Sequence, residues 1–249
     1  MTLIKILSAA IGVLSITACQ SRIPYGDDIA PGRRYSEIAA RQSGQQQFVV
    51  YDPAEGVNKH IYKFNAKVDD YVLLPVVKGY TAVTPEFFRK GVTNFFMNVG
   101  EIPNFTNSVL QASPKKAGVT AGRFVINTTI GLLGTIDVAT KMGIDRQSED
   151  FGQTLGVWGS GPGPYVVLPI VGPSNLRDVT GKVFDLATLS LLVPNDIEDD
   201  LSYQVVAYGL NPVNARYNNS FRYYRSGSPF EYELVRYITT QSRKLQIEK

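Results

Sequence analysis

Apolar residues recur at helical spacing along most of the chain, in segments separated by proline and glycine. Proline is tolerated in the first turn of a helix but not in its interior, so the prolines mark the expected ends of these segments. The pattern predicts an all-α fold with one loop-rich stretch, residues 156–173, where glycine and proline leave room only for loops around residues 165–168. The predicted helices cover residues 54–72, 85–98, 103–111, 114–130, 174–192, 196–209 and 229–244.

The predicted helix 85–98 carries an aromatic-rich face. Phe88, Val92, Phe95 and Phe96 recur at the spacing of one side of a helix, and this side must therefore be covered. The periodicity is the same whether protein or lipid covers the face, so both alternatives stay open.

The predicted helix 114–130 has an unusual polar pattern. Lys116, Thr120, Arg123 and Asn127 fall on one stripe about 60° wide, and apolar residues occupy both flanks. We call these four residues the polar seam. A buried helix that shows one edge to solvent has this pattern and is the more common case. A helix embedded in lipid, with its seam on a hydrated passage, has the same pattern.

The first residues of the chain resemble a bacterial lipoprotein signal peptide. Lys5 provides a positive charge, residues 6–16 form an apolar segment too short to span a bilayer, and Cys19 follows the small-residue sequence Thr17-Ala18. Cys19 is also the only cysteine, which excludes an internal disulfide and a Cys/His metal site. We therefore expect cleavage before Cys19, which receives a covalent diacylglycerol and an N-acyl chain. Gln20 follows where an aspartate would resemble an inner-membrane retention signal, so we expect an outer-membrane anchor.

The composition then changes twice along the chain. Residues 1–18 are the expected signal peptide, residues 19–51 read as a lipidated flexible tether rich in Gln, Gly and Pro, and residues 52–249 form the expected helical domain. Removal of residues 1–18 leaves 24 basic and 22 acidic residues. This near-balance argues against a nucleic-acid partner, which requires a clearly basic face.

The sequence contains no catalytic constellation that we would defend. His60 is the only histidine, and no Gly-x-Ser-x-Gly elbow accompanies it, so a Ser-His-Asp triad is disfavoured. The glycines and prolines of residues 159–164 do not form a dinucleotide fingerprint, because no helix follows them. We therefore predict a protein that is not an enzyme and that holds no metal and no cofactor other than its acyl chains.

Several spaced runs, taken together, resemble the MlaA/VacJ family of outer-membrane lipoproteins, which maintain outer-membrane lipid asymmetry. The match is dense over residues 52–180 and looser beyond them. The runs are Asp52–Asn58 with Tyr62–Asn65, Gly91–Asn98, Arg123–Gly131 continuing to Asp137, Asp150–Tyr165 with Leu168 and Pro169, and Gly172–Ser174 with Arg177 and Asp178.

The resemblance implies a ring-like, multi-helix protein that is anchored and embedded in the periplasmic leaflet of the outer membrane. Such a protein removes mislocalised phospholipid from the outer leaflet through an amphipathic passage. It associates with a trimeric porin and passes lipid to a soluble periplasmic lipid carrier (MlaC-like). The polar seam suits this picture, because Lys116 and Arg123 could attract a phosphate headgroup.

Two further expectations concern the mechanism. Gly131, Gly134 and Gly143 are candidate hinges flanking a segment that gates the passage, since glycine permits the backbone changes that a hinge needs; ordinary turn chemistry is the alternative. A non-transporting envelope adaptor lipoprotein that binds porins is the alternative function.

Overall fold

The computed structural model describes residues 50–192 and 199–248, with the side chain of residue 192 excepted. The expected signal peptide, Cys19 and nearly all of the expected tether lie outside the described residues, as does the start of the predicted helix 196–209. The residues from Tyr51 to Lys249 group as one compact unit.

The described chain is mostly helical, which confirms the predicted fold class. The helices in the first half are α1 (Glu55–Val68), α2 (Leu74–Val83), α3 (Glu86–Val99), α4 (Glu101–Leu110), α5 (Pro114–Thr129), α6 (Val138–Lys141) and α7 (Phe151–Val157). Those in the second half are α8 (Leu176–Leu192), α9 (Leu201–Gln204), α10 (Asn211–Asn218) and α11 (Glu231–Ile247). Two π-helical turns, π1 (Asp69–Leu73) and π2 (Val205–Leu210), join α1 to α2 and α9 to α10.

Pro75 and Pro212 lie in the first turns of α2 and α10, where the proline rule places them, but each of these helices continues directly from a π turn. The ring of a proline collides with the carbonyl four residues earlier. For Pro75 and Pro212 those carbonyls belong to Tyr71 and Tyr208, which lie inside π1 and π2. The wider π turn gives the ring room, so the chain stays helical through the proline.

The loops expected around residues 165–168 are also corrected. Residues Tyr165–Leu168 (β1) and Gly172–Asn175 (β2) form a two-stranded antiparallel hairpin, with Leu168 opposite Gly172 and Tyr165 opposite Asn175. The short apolar run can pair because Gly172 adopts a positive φ of +92° and closes a tight turn. The prolines near this hairpin therefore accompany strands as well as loops.

A cluster of tyrosines packs the hairpin against the two ends of the described chain. The ring of Tyr232 on α11 meets the ring of Tyr62 on α1 at 5.7 Å and that of Tyr165 on β1 at 6.1 Å, both edge to face. The Tyr62 hydroxyl donates to Glu231 at 2.7 Å, and the Tyr232 hydroxyl donates to Asp52 at 2.6 Å. Burial and these acceptors raise the pKa of both hydroxyls. The cluster fixes α1, β1 and α11 as one packed group.

None of the helices in residues 50–192 and 199–248 is both long enough and apolar enough to cross a membrane.

Candidate functional site

The distribution of polar and apolar side chains is inverted relative to an ordinary globular protein. Among the described residues, 21 polar or charged side chains are buried and only 8 hydrophobic ones are. Large apolar side chains lie outside instead: Tyr71 is 80% exposed, Val83 79% and Phe87 77%. Soluble monomers rarely expose many large apolar groups together, so this outer surface requires a cover.

The buried polar residues concentrate where α4 packs against α5. Asn107 and Ser108 on α4 and Thr120 on α5 have no exposed surface. The helix α5 starts at Pro114, which suits a first helical turn, and ends before Gly131. Along the polar seam, Lys116 meets Glu149 before α7, Arg123 meets Glu101 on α4, and Asn127 meets Asp137 before α6. The apolar flanks are more exposed, with Val125 57% exposed.

Arg123 is the central cation of this interface. Its Nε donates to Glu101 Oε1 at 3.0 Å, and its Nη2 donates to both oxygens of Asp137 at 3.2 Å. Its Nη1 donates to Thr140 Oγ1 at 3.0 Å and to the carbonyl of Ile144. The guanidinium thus joins α4, α5 and the segment around α6. A buried charge is tolerated only when it is paired and hydrogen-bonded in this way.

Asp137 is held strongly in its charged form. Burial, the largest single influence, acts to raise its pKa, but hydrogen bonds from Thr140, Asn127 and Arg123 together lower the pKa to about 2. Asn127 also accepts the backbone N–H of Ala139 at 2.9 Å. The seam therefore fixes the turn that connects α5 to α6.

The interface continues as one chain of hydrogen bonds towards α7. Asn104 Nδ2 donates to Glu101 at 3.0 Å, and its Oδ1 accepts the backbone N–H of Glu149 at 3.1 Å. The Glu149 carboxylate accepts from Lys116 Nζ at 2.7 Å and from Gln111 Nε2 at 3.0 Å. Lys116 is thus an ion-pair partner of a buried acid.

The chain of contacts ends on α8. Gln111 reaches Thr154 on α7, whose hydroxyl donates to Asn107 Oδ1 at 2.8 Å, and Asn107 Nδ2 donates to Asp185 at 2.8 Å. Asp185 also accepts the backbone N–H of Phe151 at 3.0 Å, and burial raises the pKa of its carboxyl. We call this set the polar network: Glu101, Asn104, Asn107, Gln111, Lys116, Arg123, Asn127, Asp137, Glu149, Thr154 and Asp185.

The structure thus places the four seam residues on one face of α5, where Thr120, Arg123 and Asn127 are buried and Lys116 is half-buried. Lys116, Arg123 and Asn127 contact protein partners, whereas the buried Thr120 Oγ1 has no hydrogen-bond partner among the described residues. That these residues line a lipid passage stays a prediction. Sequence reasoning missed their partners Glu101 and Glu149. Polar residues at 101, 104, 108 and 111 repeat at helical spacing on α4, and this signal could have identified the facing surface.

The hinge candidates Gly131 and Gly134 flank a strained turn. A Cβ on Gly131 would lie 2.2 Å from the carbonyl oxygen of Ile136, and one on Gly134 (φ +86°) would lie 2.5 Å from Asn98 Cβ. Between them, Leu132 and Leu133 both adopt positive φ, +51° and +57°, and their side chains are 66% and 70% exposed. Two consecutive leucines in the left-handed region of backbone conformation are unfavourable, so contacts from neighbouring helices must hold the turn.

Those contacts come from α3 and α5. Asn94 Nδ2 donates to the carbonyl of Thr135 at 3.0 Å, Asn98 Nδ2 donates to Thr128 Oγ1 at 2.9 Å, and the Gly134 N–H donates to the carbonyl of Asn127 at 2.8 Å. The third candidate, Gly143 (φ +77°), follows α6 and has open space around it. Only the first two glycines therefore belong to the strained turn, and their role as hinges stays a prediction.

The described residues contain no cluster of His, Cys, Asp or Glu suited to a metal ion. His60 is exposed and its Nδ1 lies 2.6 Å from the carbonyl oxygen of Gly56.

Comparison with known proteins gives a consistent result. Residues 50–246 match the protein family described as MlaA lipoprotein. A protein of Rickettsia bellii is 35% identical over 201 residues, which cover 80% of this chain and 78% of the relative. The intermembrane phospholipid transport system lipoprotein MlaA of Haemophilus influenzae is 38% identical over 172 residues, which cover 68% of this chain and 67% of the relative.

A solved structure described as the structural basis for maintenance of bacterial outer membrane lipid asymmetry is similar as well. It superposes with a TM-score of 0.62 at 30% identity, over 79% of this chain and 98% of that chain. The similarity therefore covers the helical domain in both sequence and fold.

Proposed function

The chain belongs to the MlaA lipoprotein family, and from this premise we propose that it maintains the lipid asymmetry of the outer membrane by intermembrane phospholipid transport. It removes mislocalised phospholipid from the outer leaflet through an amphipathic passage. It then passes the lipid to a soluble periplasmic carrier, and a trimeric porin is its membrane partner.

The inverted distribution of side chains is the observation that supports this proposal most directly. Apolar residues cover the outside, among them Leu191 (78% exposed) and Tyr71 (80%). The free energy of the system falls when lipid tails replace water around such side chains. The buried polar residues keep charge and hydrogen-bonding groups away from the tails. A protein built in this way is stable in a leaflet, where it is close to the lipid that it transports.

The lipoprotein family and Cys19 support a proposal for the anchor and the location. The family is one of envelope lipoproteins, and we propose that acyl chains on Cys19 hold this member in the periplasmic leaflet of the outer membrane. The anchor brings the exposed apolar side chains to the membrane and raises their effective concentration there.

The polar seam and the strained turn together suggest how a passage opens. Arg123 and Asn127 both bind Asp137, at the end of the turn that carries Leu132 and Leu133. When this turn moves at Gly131 and Gly134, the seam loses its contacts to Asp137 and its polar groups become available to a headgroup. Strain in the two leucines lowers the cost of that movement.

Surface labelling in the source bacterium tests the proposed function. The gene is deleted, and surface-exposed phosphatidylethanolamine is labelled with an impermeant amine reagent. We expect more label, reversed by the wild-type gene but not by a Cys19→Ala variant. An unchanged label, in a strain without a second copy of the gene, would refute transport and favour a non-transporting adaptor that binds porins.

The hinge proposal needs its own variant and control. Gly131→Ala with Gly134→Ala should alter lipid flux, whereas Gly118→Ala should not, because a Cβ at Gly118 meets nothing within 4 Å. Unchanged flux in a folded, membrane-inserted double variant would contradict the hinge.

A further inference from the structure

A separate cavity of about 250 Å³ lies between the α1–π1 helix, the hairpin turn, the segment after α10, and α11. None of the residues that line it belongs to the polar network. The cavity is therefore separate from the polar network.

Part of the lining of this cavity is apolar. Val68 and Leu73 line it from the α1–π1 helix, Val235 lines it from α11, and the hairpin turn adds Ile170 and Val171. The last two are 63% and 59% exposed, so apolar groups continue from the inside of the cavity to its rim.

The lining also includes a buried ion pair. The Nη2 of Arg216 donates to Asp69 Oδ2 at 2.8 Å, and its Nε donates to Asp69 Oδ1. The hydrogen bond to Asp69 raises the pKa of the guanidinium. Arg216 also donates to the carbonyls of Asn219 and Phe221, which leaves one Nη1 hydrogen without a protein acceptor among the described residues.

A further hydroxyl group at the cavity is unpaired. Thr239 lines the cavity from α11, and within residues 50–192 and 199–248 its hydroxyl has no hydrogen-bond partner. The lining of the cavity therefore includes a positive group, a negative group and a hydroxyl, and the ion pair carries no net charge.

The rim of the cavity is held in a strained conformation. Ile170 is β-branched and adopts a φ of +66°, in the left-handed region. Asn65 fixes it, because its Oδ1 accepts the Ile170 N–H at 2.7 Å and its Nδ2 donates to the Leu168 carbonyl at 2.9 Å. Strain that the surrounding structure maintains in this way is common at binding sites.

We propose that this cavity binds the headgroup of a zwitterionic phospholipid. The phosphate contacts Arg216 and Thr239, the ammonium contacts Asp69, and the first methylene groups of the acyl chains lie against Val171 and Val235. An anionic headgroup is disfavoured because it has no ammonium to contact Asp69, which then repels the added negative charge. The inference rests on the proposed function, which makes the lipid a phospholipid.

Calorimetric titration of the purified full chain in a non-ionic detergent tests this site, with dihexanoylphosphatidylethanolamine as the probe. Thr239→Val should weaken binding about tenfold, because a hydrogen bond to a charged group is lost. The matched control is Thr240→Val on the same helix, whose hydroxyl donates to the Arg236 carbonyl outside the cavity. This control should bind like the wild type.

A second pair of variants tests the cavity by its volume. Val235→Phe fills the cavity and should abolish binding, whereas Leu234→Phe, at a 37% exposed neighbouring position outside the lining, should not. Wild-type binding by a folded Val235→Phe protein would overturn the site. If Val235→Phe does not fold, wild-type binding by Thr239→Val overturns it.

Two further ligands distinguish the source of the phosphate. Glycerophosphoethanolamine has the headgroup without acyl chains, and dihexanoylphosphatidylglycerol has chains with an anionic headgroup; we expect at least about tenfold weaker binding of each. Equal binding of the first would overturn the assignment to a lipid, and equal binding of the second would overturn the headgroup preference. Because the titration uses purified protein, its failure leaves the cellular labelling result, and with it the proposed function, intact.

Discussion

Replacing Arg123 with methionine removes the cation from the middle of the polar network and keeps a side chain of similar length. The side chains of Arg123 and Glu101 are 2% and 1% exposed, so the change leaves the Glu101 carboxylate buried without the Arg123 cation. The remaining cation near Glu101 is Arg146, whose Nε lies at 3.4 Å and whose side chain is 29% exposed. Asp137 also loses both of its contacts to the guanidinium.

The expected loss of stability is large. Removing one partner of a buried ion pair costs about 3–5 kcal/mol, because the other charge stays buried without compensation. Each kcal/mol lowers the Tm of a domain of about 150–250 residues by about 2–4 °C. Arg123→Met should therefore lower the Tm by about 6–20 °C, measured by far-UV circular dichroism in detergent.

The control for this variant is an exposed ion pair. Lys90 binds Glu86 at 2.7 Å, but the two side chains are 71% and 66% exposed, and solvent screens such a pair. Lys90→Met should therefore melt close to the wild type. The double variant Arg123→Met with Glu101→Gln should lose less than the single changes added together, because they share one interaction. A Tm for Arg123→Met as high as that of Lys90→Met would refute the argument that this pair is buried and coupled.

Three other predictions concern the strained turn, the dependence of stability on acidic pH, and the hairpin. Gly134→Ala should destabilise the protein by at least about 1 kcal/mol, because Gly134 has a positive φ and an added Cβ would collide with Asn98. Gly118→Ala, where an added Cβ meets nothing within 4 Å, should stabilise the protein by about 0.5–1 kcal/mol. Urea unfolding measures both changes, and equal effects would contradict the reasoning. The folded-state pKa of Asp137, about 2, lies below the ordinary value of 3.8, so its contribution to stability is fully present above about pH 4 and is lost as the pH falls through 2. Asp137→Asn should therefore lower the Tm at pH 6 and flatten the fall of the Tm below pH 4, and parallel pH profiles of the two proteins would contradict this. Ile170→Gly should raise the Tm, because it relieves a positive φ of +66° at a side chain that is 63% exposed, and a lower Tm would show that the side chain is packed in solution.

The sequence identified the helical fold and the polar face of α5, because both depend on local periodicity. It could not identify Glu101 and Glu149 as partners, because that pairing depends on how α4 and the segment before α7 fold against α5. Helix α2 was missed since a proline rule based on α-helical geometry does not anticipate a π turn just before Pro75. The hairpin was missed because four apolar residues between glycines and prolines are equally compatible with a loop.

The polar network also explains how a protein with an apolar exterior specifies one fold. The hydrophobic effect cannot drive helices together when lipid tails surround them, because tails are as apolar as the side chains. Hydrogen bonds are directional, so Asn107, which has no exposed surface and bonds to both Thr154 and Asp185, fixes α4 against α7 and α8 in one register. Arg123 does the same for α4, α5 and α6. Because the same residues position the strained turn through Asp137, the interior that holds the fold together is also the part that any movement of that turn must disturb.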